Sequence, residues 1–101
     1  MDTEFLFNPQ HRYEAAYRDI CELVKSLHRK RCPVHHKGVR ITHDYDEHGV
    51  NAYISHGCCK EFAQAELDAL AKSGYFDYVV LEDCEGFASP TRFRIMVNTV
   101  R

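Results

Sequence analysis

Two short stretches hold residue types that bind metal ions. CPVHHKG (32–38) carries Cys32 and His35 three apart, then His36, with Pro33 fixing the backbone; SHGCCKEF (55–62) carries His56, Cys58 and Cys59. Thiolate sulfur and imidazole nitrogen are donors that suit zinc, which takes four of them in a tetrahedron. The candidate ligands are therefore Cys32, His35 and Cys58, with His56 or Cys59 as the fourth. The spacing matches none of the strong zinc signatures. Buried cysteines also pack as small hydrophobes, and Pro33 would end a helix in any case.

The same residues allow thiol chemistry. Cys58 and Cys59 stand at the start of a predicted helix, where backbone amides lower a thiol pKa and a nearby histidine can act as base. A Cys58 or Cys59 nucleophile is thus the enzymatic alternative. The chain has no Cys-x-x-Cys motif and no evident Asn or Asp to orient a base. No catalytic residue is assigned, and the chain reads as a non-enzyme.

Three kinds of element must position these residues. Asn8 as N-cap and Pro9 at the first helical position open a predicted helix over 8–31. Its apolar stripe is Tyr13, Ala16, Tyr17, Ile20, Val24 and Leu27. His28, Arg29, Lys30 and Arg31 suit the negative end of the helix dipole. A hairpin follows, with Val39, Ile41 and His43 alternating on one side of the turn YDEHG and Val50, Ala52 and Ile54 on the other. A turn centred between Asp46 and Glu47 sets Val39 opposite Ile54 and His43 opposite Val50. Extended outward, that register sets His35 opposite Cys58, where directly opposed Cβ atoms lie about 4.5–5.5 Å apart. Antiparallel pairing would then close the metal site.

Residues 59–73 predict a second helix, ended by Gly74. Two more strands follow, 75–83 and 91–100, joined by CEGFASP. The order α-β-β-α-β-β predicts an α+β fold, a two-layer α/β sandwich. Its sheet has four mainly antiparallel strands, with two helices on one face.

The stretch YFDYVVL is apolar on both sides. Phe76, Tyr78 and Val80 point one way; Tyr75, Val79 and Leu81 point the other. A two-layer fold covers one face, so the other needs a partner: another protein or a second copy of this chain. Phe5, Leu6 and Phe7 folding back would serve equally. With Arg92 and Arg94 from the last strand, Phe76, Tyr78 and Val80 make the candidate partner-binding surface. Aromatic and arginine side chains on an open sheet also resemble an RNA platform, and Arg40, Thr42 and Tyr53 share that face. The missing RNP-type motifs and the net charge of −2 argue against nucleic acid. The acidic loop DYDEHG lacks the ligand alternation of a calcium site and reads as a solvated turn.

The bulk numbers set the frame. A chain of 101 residues, 45% hydrophobic and 28% charged, is one globular domain, 1–101. No apolar run approaches a membrane span, and the start lacks the pattern of a signal peptide. Five cysteines, an odd count, do not complete a disulfide framework. The expected location is the cytoplasm, where thiols stay reduced and free for metal. The function expected is a small cytoplasmic protein-binding domain, adaptor or regulatory, with a structural zinc.

Overall fold

The computed structural model describes residues 8–95. The segment with Phe5, Leu6 and Phe7, and the end of the last predicted strand, lie outside the described residues. The elements are α1 (Pro9–Ala15), α2 (Tyr17–His28), β1 (Arg40–Asp46), β2 (Gly49–Ser55), α3 (Lys60–Ser73), β3 (Tyr78–Glu82) and β4 (Thr91–Arg94). The fold is α+β with one four-stranded sheet.

The predicted first helix is two helices. Asn8 caps it as expected, accepting from the amides of Gln10 (2.9 Å) and His11 (3.4 Å). The helix breaks at Ala16, whose backbone leaves helical geometry (φ −100°, ψ 5°). Beyond the break, α2 buries Ile20, Val24 and Leu27. Tyr17, predicted to face the core, is 50% exposed. Helix α3 matches its prediction closely, with Gly74 at φ 80° as the left-handed C-cap.

The sheet runs β1-β2-β3-β4, and its central pair is parallel. Two of the three strand pairs are antiparallel, so the sheet is mixed, and the parallel central pair is the part the expectation did not include. A helix between two strands carries the chain back to the end where the first strand began, so β2-α3-β3 pairs in parallel. The flanking pairs, β1 with β2 and β3 with β4, are antiparallel.

The hairpin register also differs. Ile41 pairs with Ile54 and Tyr45 with Val50, leaving Glu47 and His48 as a two-residue turn. The Asp46 carboxylate accepts from the amides of His48 (2.8 Å) and Gly49 (3.2 Å), which moves the turn one residue along the chain. Such a shift changes each partner by two positions and leaves the faces unchanged. Ile41, Ala52, Ile54, Val79 and Leu81 thus remain inside, in one cluster with Ile20, Val24, Leu27, Phe62, Ala63, Leu67 and Leu70.

Phe76 joins that core at 0% exposure, which removes it from the candidate partner surface. It lies before β3 begins, so strand alternation does not govern where it points. Tyr78 and Val80 are half-buried on the other face of β3, opposite Val79 and Leu81.

Candidate metal centre

The first half of the site is a tight loop after α2. The chain closes on itself through Cys32 N–H to the Lys37 carbonyl (2.8 Å) and His36 N–H to the Cys32 carbonyl (2.7 Å). His36 takes the left-handed conformation, φ 60°, to make that turn. His28, on the last turn of α2, accepts from the Ile41 amide at 3.0 Å and pins the helix end to β1. The loop is therefore held at both ends before any metal is considered.

The second half lies between β2 and α3. β2 stops at Ser55 because His56 turns left-handed, φ 66°, with its amide donating to the Glu82 carbonyl (3.3 Å). Gly57 follows in close packing: a Cβ there would stand 3.0 Å from Cys84 Sγ and 3.1 Å from Ala63 Cβ. Cys59 is the N-cap residue of α3, and its side chain makes no capping bond. Its sulfur points to Cys32 instead, at 3.7 Å.

Cys32, His35, Cys58 and Cys59 each offer one ligand atom, and the four atoms lie within 4.8 Å of one another. Cys32 Sγ is 3.5 Å from His35 Nδ1. Zinc–sulfur bonds of about 2.3 Å and zinc–nitrogen bonds of about 2.0–2.1 Å give a tetrahedron with edges of about 3.8 Å (S to S) and about 3.6 Å (S to N). The two observed separations match those edges. Cys59 thus completes the set. His56, the other candidate for fourth ligand, is exposed on the kink and stands outside the group. The ladder that was to bring His35 opposite Cys58 does not extend so far: β1 begins at Arg40 and β2 ends at Ser55. Two loops bring the ligands together.

The electrostatics fit a cation. Cys32 is buried, at 1% exposure. Burial pushes its thiol up, but the amides of His35 and Val34, the His35 ring and the Cys58 thiol outweigh it and bring the pKa down to about 6. The His35 amide lies 3.4 Å from the sulfur. Burial pushes Cys58 the other way, to about 11, helped by hydrogen bonds and repulsion from Cys32 and Cys59. One thiolate is easily formed here, and a second costs more beside it. A divalent ion removes that cost. The raised Cys58 is opposite in direction to what a Cys58 nucleophile requires.

A cavity of about 320 Å³ opens beside the cluster, between Pro33 and Val34 of the loop and Phe62 and Ala65 of α3. Cys32 and Cys59 form part of its wall. Val34, at 72% exposure, is the most exposed large apolar side chain among the described residues. Sequence patterning gave no sign of this cavity beyond one apolar residue set between a proline and two histidines.

The candidate partner surface lies on the other face of the sheet. Arg92 and Arg94 are exposed on β4, and the Arg92 guanidinium sits 3.9 Å over the Tyr78 ring. Val80 stands in register between Tyr53 and Arg92. Of the acidic loop, Asp44 accepts from Tyr53 (3.0 Å) and Asn51 (3.1 Å), while Asp46 holds the turn. Both acids are engaged within the protein, as a structural turn requires.

No family model matches the chain, and the searches of curated proteins and of solved structures found no significant match. No helix among the described residues is long and apolar enough to cross a membrane.

Proposed function

We propose that this chain is a small protein-binding domain, adaptor or regulatory in kind, with one structural zinc ion. The observation that supports the zinc is the convergence of Cys32, His35, Cys58 and Cys59 within 4.8 Å, with the Cys32–His35 and Cys32–Cys59 separations close to tetrahedral edges. Four protein ligands leave a tetrahedral ion no open position, which fits a structural role and a non-enzymatic domain. The ion would tie the loop after α2 to the first residues of α3. With the metal bound, Cys58 and Cys59 serve as structural ligands rather than as catalytic nucleophiles.

The binding role rests on the open face of the sheet. Tyr53, Tyr78 and Val80 form a half-buried row flanked by the exposed Arg92 and Arg94. Aromatic and arginine side chains are the types enriched at protein interfaces and their hot spots. The partner is another protein, a second copy of this chain included, met in the reducing cytoplasm. Asp44 and Glu82 share the face with the arginines, and a net charge of −2 does not favour a phosphate backbone.

Native mass spectrometry beside denaturing mass spectrometry tests this on protein purified without chelator or added metal. One zinc per chain, lost in Cys32→Ser and in Cys58→Ser, is the expected result. A metal-free native chain sinks the zinc assignment. The same spectrum reports oligomeric state. A dimer dissociated by Val80→Asp would make the open face the self-contact, and a strict monomer would exclude a second copy.

A further inference from the structure

We infer that Cys32 and Cys59 are an oxidation site: a peroxide converts them to a disulfide and the metal leaves. The inference deepens the zinc assignment, on which its metal-release half rests. It starts from distance. The two sulfurs are 3.7 Å apart across the gap between the loop and α3. A disulfide spans roughly 2.05 Å, so the bond asks the two sulfurs to approach by about 1.7 Å in sum.

Cys58 is the nearest competitor, hydrogen-bonded to Cys32 and within 4.8 Å of it, but it does not line the cavity that Cys32 and Cys59 share; the remaining pairs are poorer. Cys58 and Cys59 are adjacent, and consecutive Cα atoms sit about 3.8 Å apart, below the roughly 4.4–6.8 Å that disulfides span. Cys84 is buried, with its thiol 3.5 Å from the Ile54 carbonyl. Access selects the order of events. Cys32 is buried and Cys59 is half-exposed, and both border the cavity of about 320 Å³. An oxidant therefore meets Cys59 first, and Cys32 is the sulfur waiting behind it.

The step balances with a hydroperoxide as oxidant. The Cys59 thiolate attacks one peroxide oxygen; the S–O bond forms, the O–O bond breaks, and water or an alcohol leaves after taking a proton. Cys59 is now a sulfenic acid. The Cys32 thiolate attacks that sulfur; the S–S bond forms, the S–O bond breaks, and the hydroxide leaves as water with a second proton. The two sulfurs together lose two electrons and the peroxide gains them. An ion bound by four ligands keeps only His35 and Cys58, too few to hold it. A dithiol reductant reverses the disulfide and restores all four ligands.

The test treats the full-length, zinc-loaded chain with hydrogen peroxide while a chromophoric chelator reports free zinc. Intact mass and peptide mapping are read in parallel. Expected are release of one zinc per chain, loss of two hydrogens in mass, and a cross-linked peptide pair joining Cys32 to Cys59, all reversed by dithiothreitol. Cys58→Ala should keep the cross-link and Cys59→Ala should abolish it, so the outcome does not hang on one variant folding. A cross-link through Cys58, Cys21 or Cys84, or sulfinic acid without a cross-link, overturns the inference and leaves the zinc assignment standing. A chain that binds no zinc yet forms the Cys32–Cys59 bond defeats the zinc assignment and the metal-release half, and keeps the oxidation site.

Discussion

The two ends of the sheet solve one problem with different chemistry. At the turn end, Asp77 accepts from the Val50 amide (2.8 Å) and from Arg12 of α1 (2.8 Å). Gly49 makes room for it: a Cβ there would fall 2.5 Å from the Asp77 carboxylate. At the other end, Cys32, His35, Cys58 and Cys59 join the loop after α2 to the start of α3. The carboxylate end is complete with protein atoms alone. The thiol end gathers three sulfurs and one imidazole, and its pKa values diverge because the thiols compete for one charge. A cluster whose members repel one another when ionised is one that a bound cation would relieve.

That contrast predicts unequal sensitivity. The largest effect should follow metal removal. A chelator, or Cys32→Ser, should lower stability by about 3 kcal/mol or more, roughly 12 °C or more in the thermal midpoint of a domain this size. The chelator should leave the Asp77→Ala variant with the same loss, since the two ends share no group. A midpoint unmoved by chelation would erase the distinction between the ends. Zinc affinity should also fall with pH, because each thiol must lose its proton to bind. Cys32 competes with protons only below its pKa of about 6, so the slope against pH should steepen there. Chelator competition across about pH 5–8 measures it.

Next in size is the carboxylate end. Asp77→Ala strands the Val50 amide and releases Arg12, a cost of about 1.5–3 kcal/mol for a charge-assisted pair. Denaturant melts should show that loss with zinc affinity unchanged. Gly49→Ala should cost at least as much, since its φ of +152° and the carboxylate both oppose a side chain.

Glu66 sharpens the same comparison from inside α3. It is 2% exposed, and its Oε1 has no hydrogen-bond partner. Burial raises its pKa above the ordinary 4.5, and Lys30 offsets part of that rise. A carboxyl whose folded pKa is raised stabilises fully below its unfolded pKa and loses that contribution as pH climbs through the folded value. Glu66→Gln should therefore stabilise by about 1 kcal/mol at neutral pH and show little difference near pH 4. Destabilisation at neutral pH would mean that the carboxylate has a partner after all.

Three of the four clustered donors were legible in the sequence, with Cys59 as one of two options for the fourth, but the ladder that was to join them is absent. Donor type singles out Cys32, His35 and Cys58, because few residue types bind zinc. The pairing of His35 with Cys58 assumed strands that continue until the residues run out. Nothing in the alternation of Val39, Ile41, Val50 and Ile54 reveals that His56 turns left-handed. Such kinks depend on tertiary bonds, here from the His56 amide to Glu82. The helix between β2 and β3 sets the two strands running the same way, but that they are neighbours in the sheet was not legible in the sequence. Phe76 misled because strand parity was applied beyond the strand. Asn8 and Gly74 could be read directly, as local caps whose chemistry involves only their neighbours.

The smallest effect belongs to His36, and it separates the ligand loop's shape from its chemistry. His36 sits at φ 60°, where a side chain costs about 1 kcal/mol relative to glycine. It lies next to His35 but outside the ligand group. His36→Gly removes that cost while adding freedom to the unfolded chain, so the two contributions nearly cancel. The thermal midpoint should move by no more than a few degrees in either direction, and zinc affinity should stay within about threefold. His35→Gly, one residue away, should lose zinc binding by orders of magnitude. If the two variants behaved alike, the loop rather than the imidazole would hold the ion, and the donor set would need redrawing with three thiols and an outside ligand.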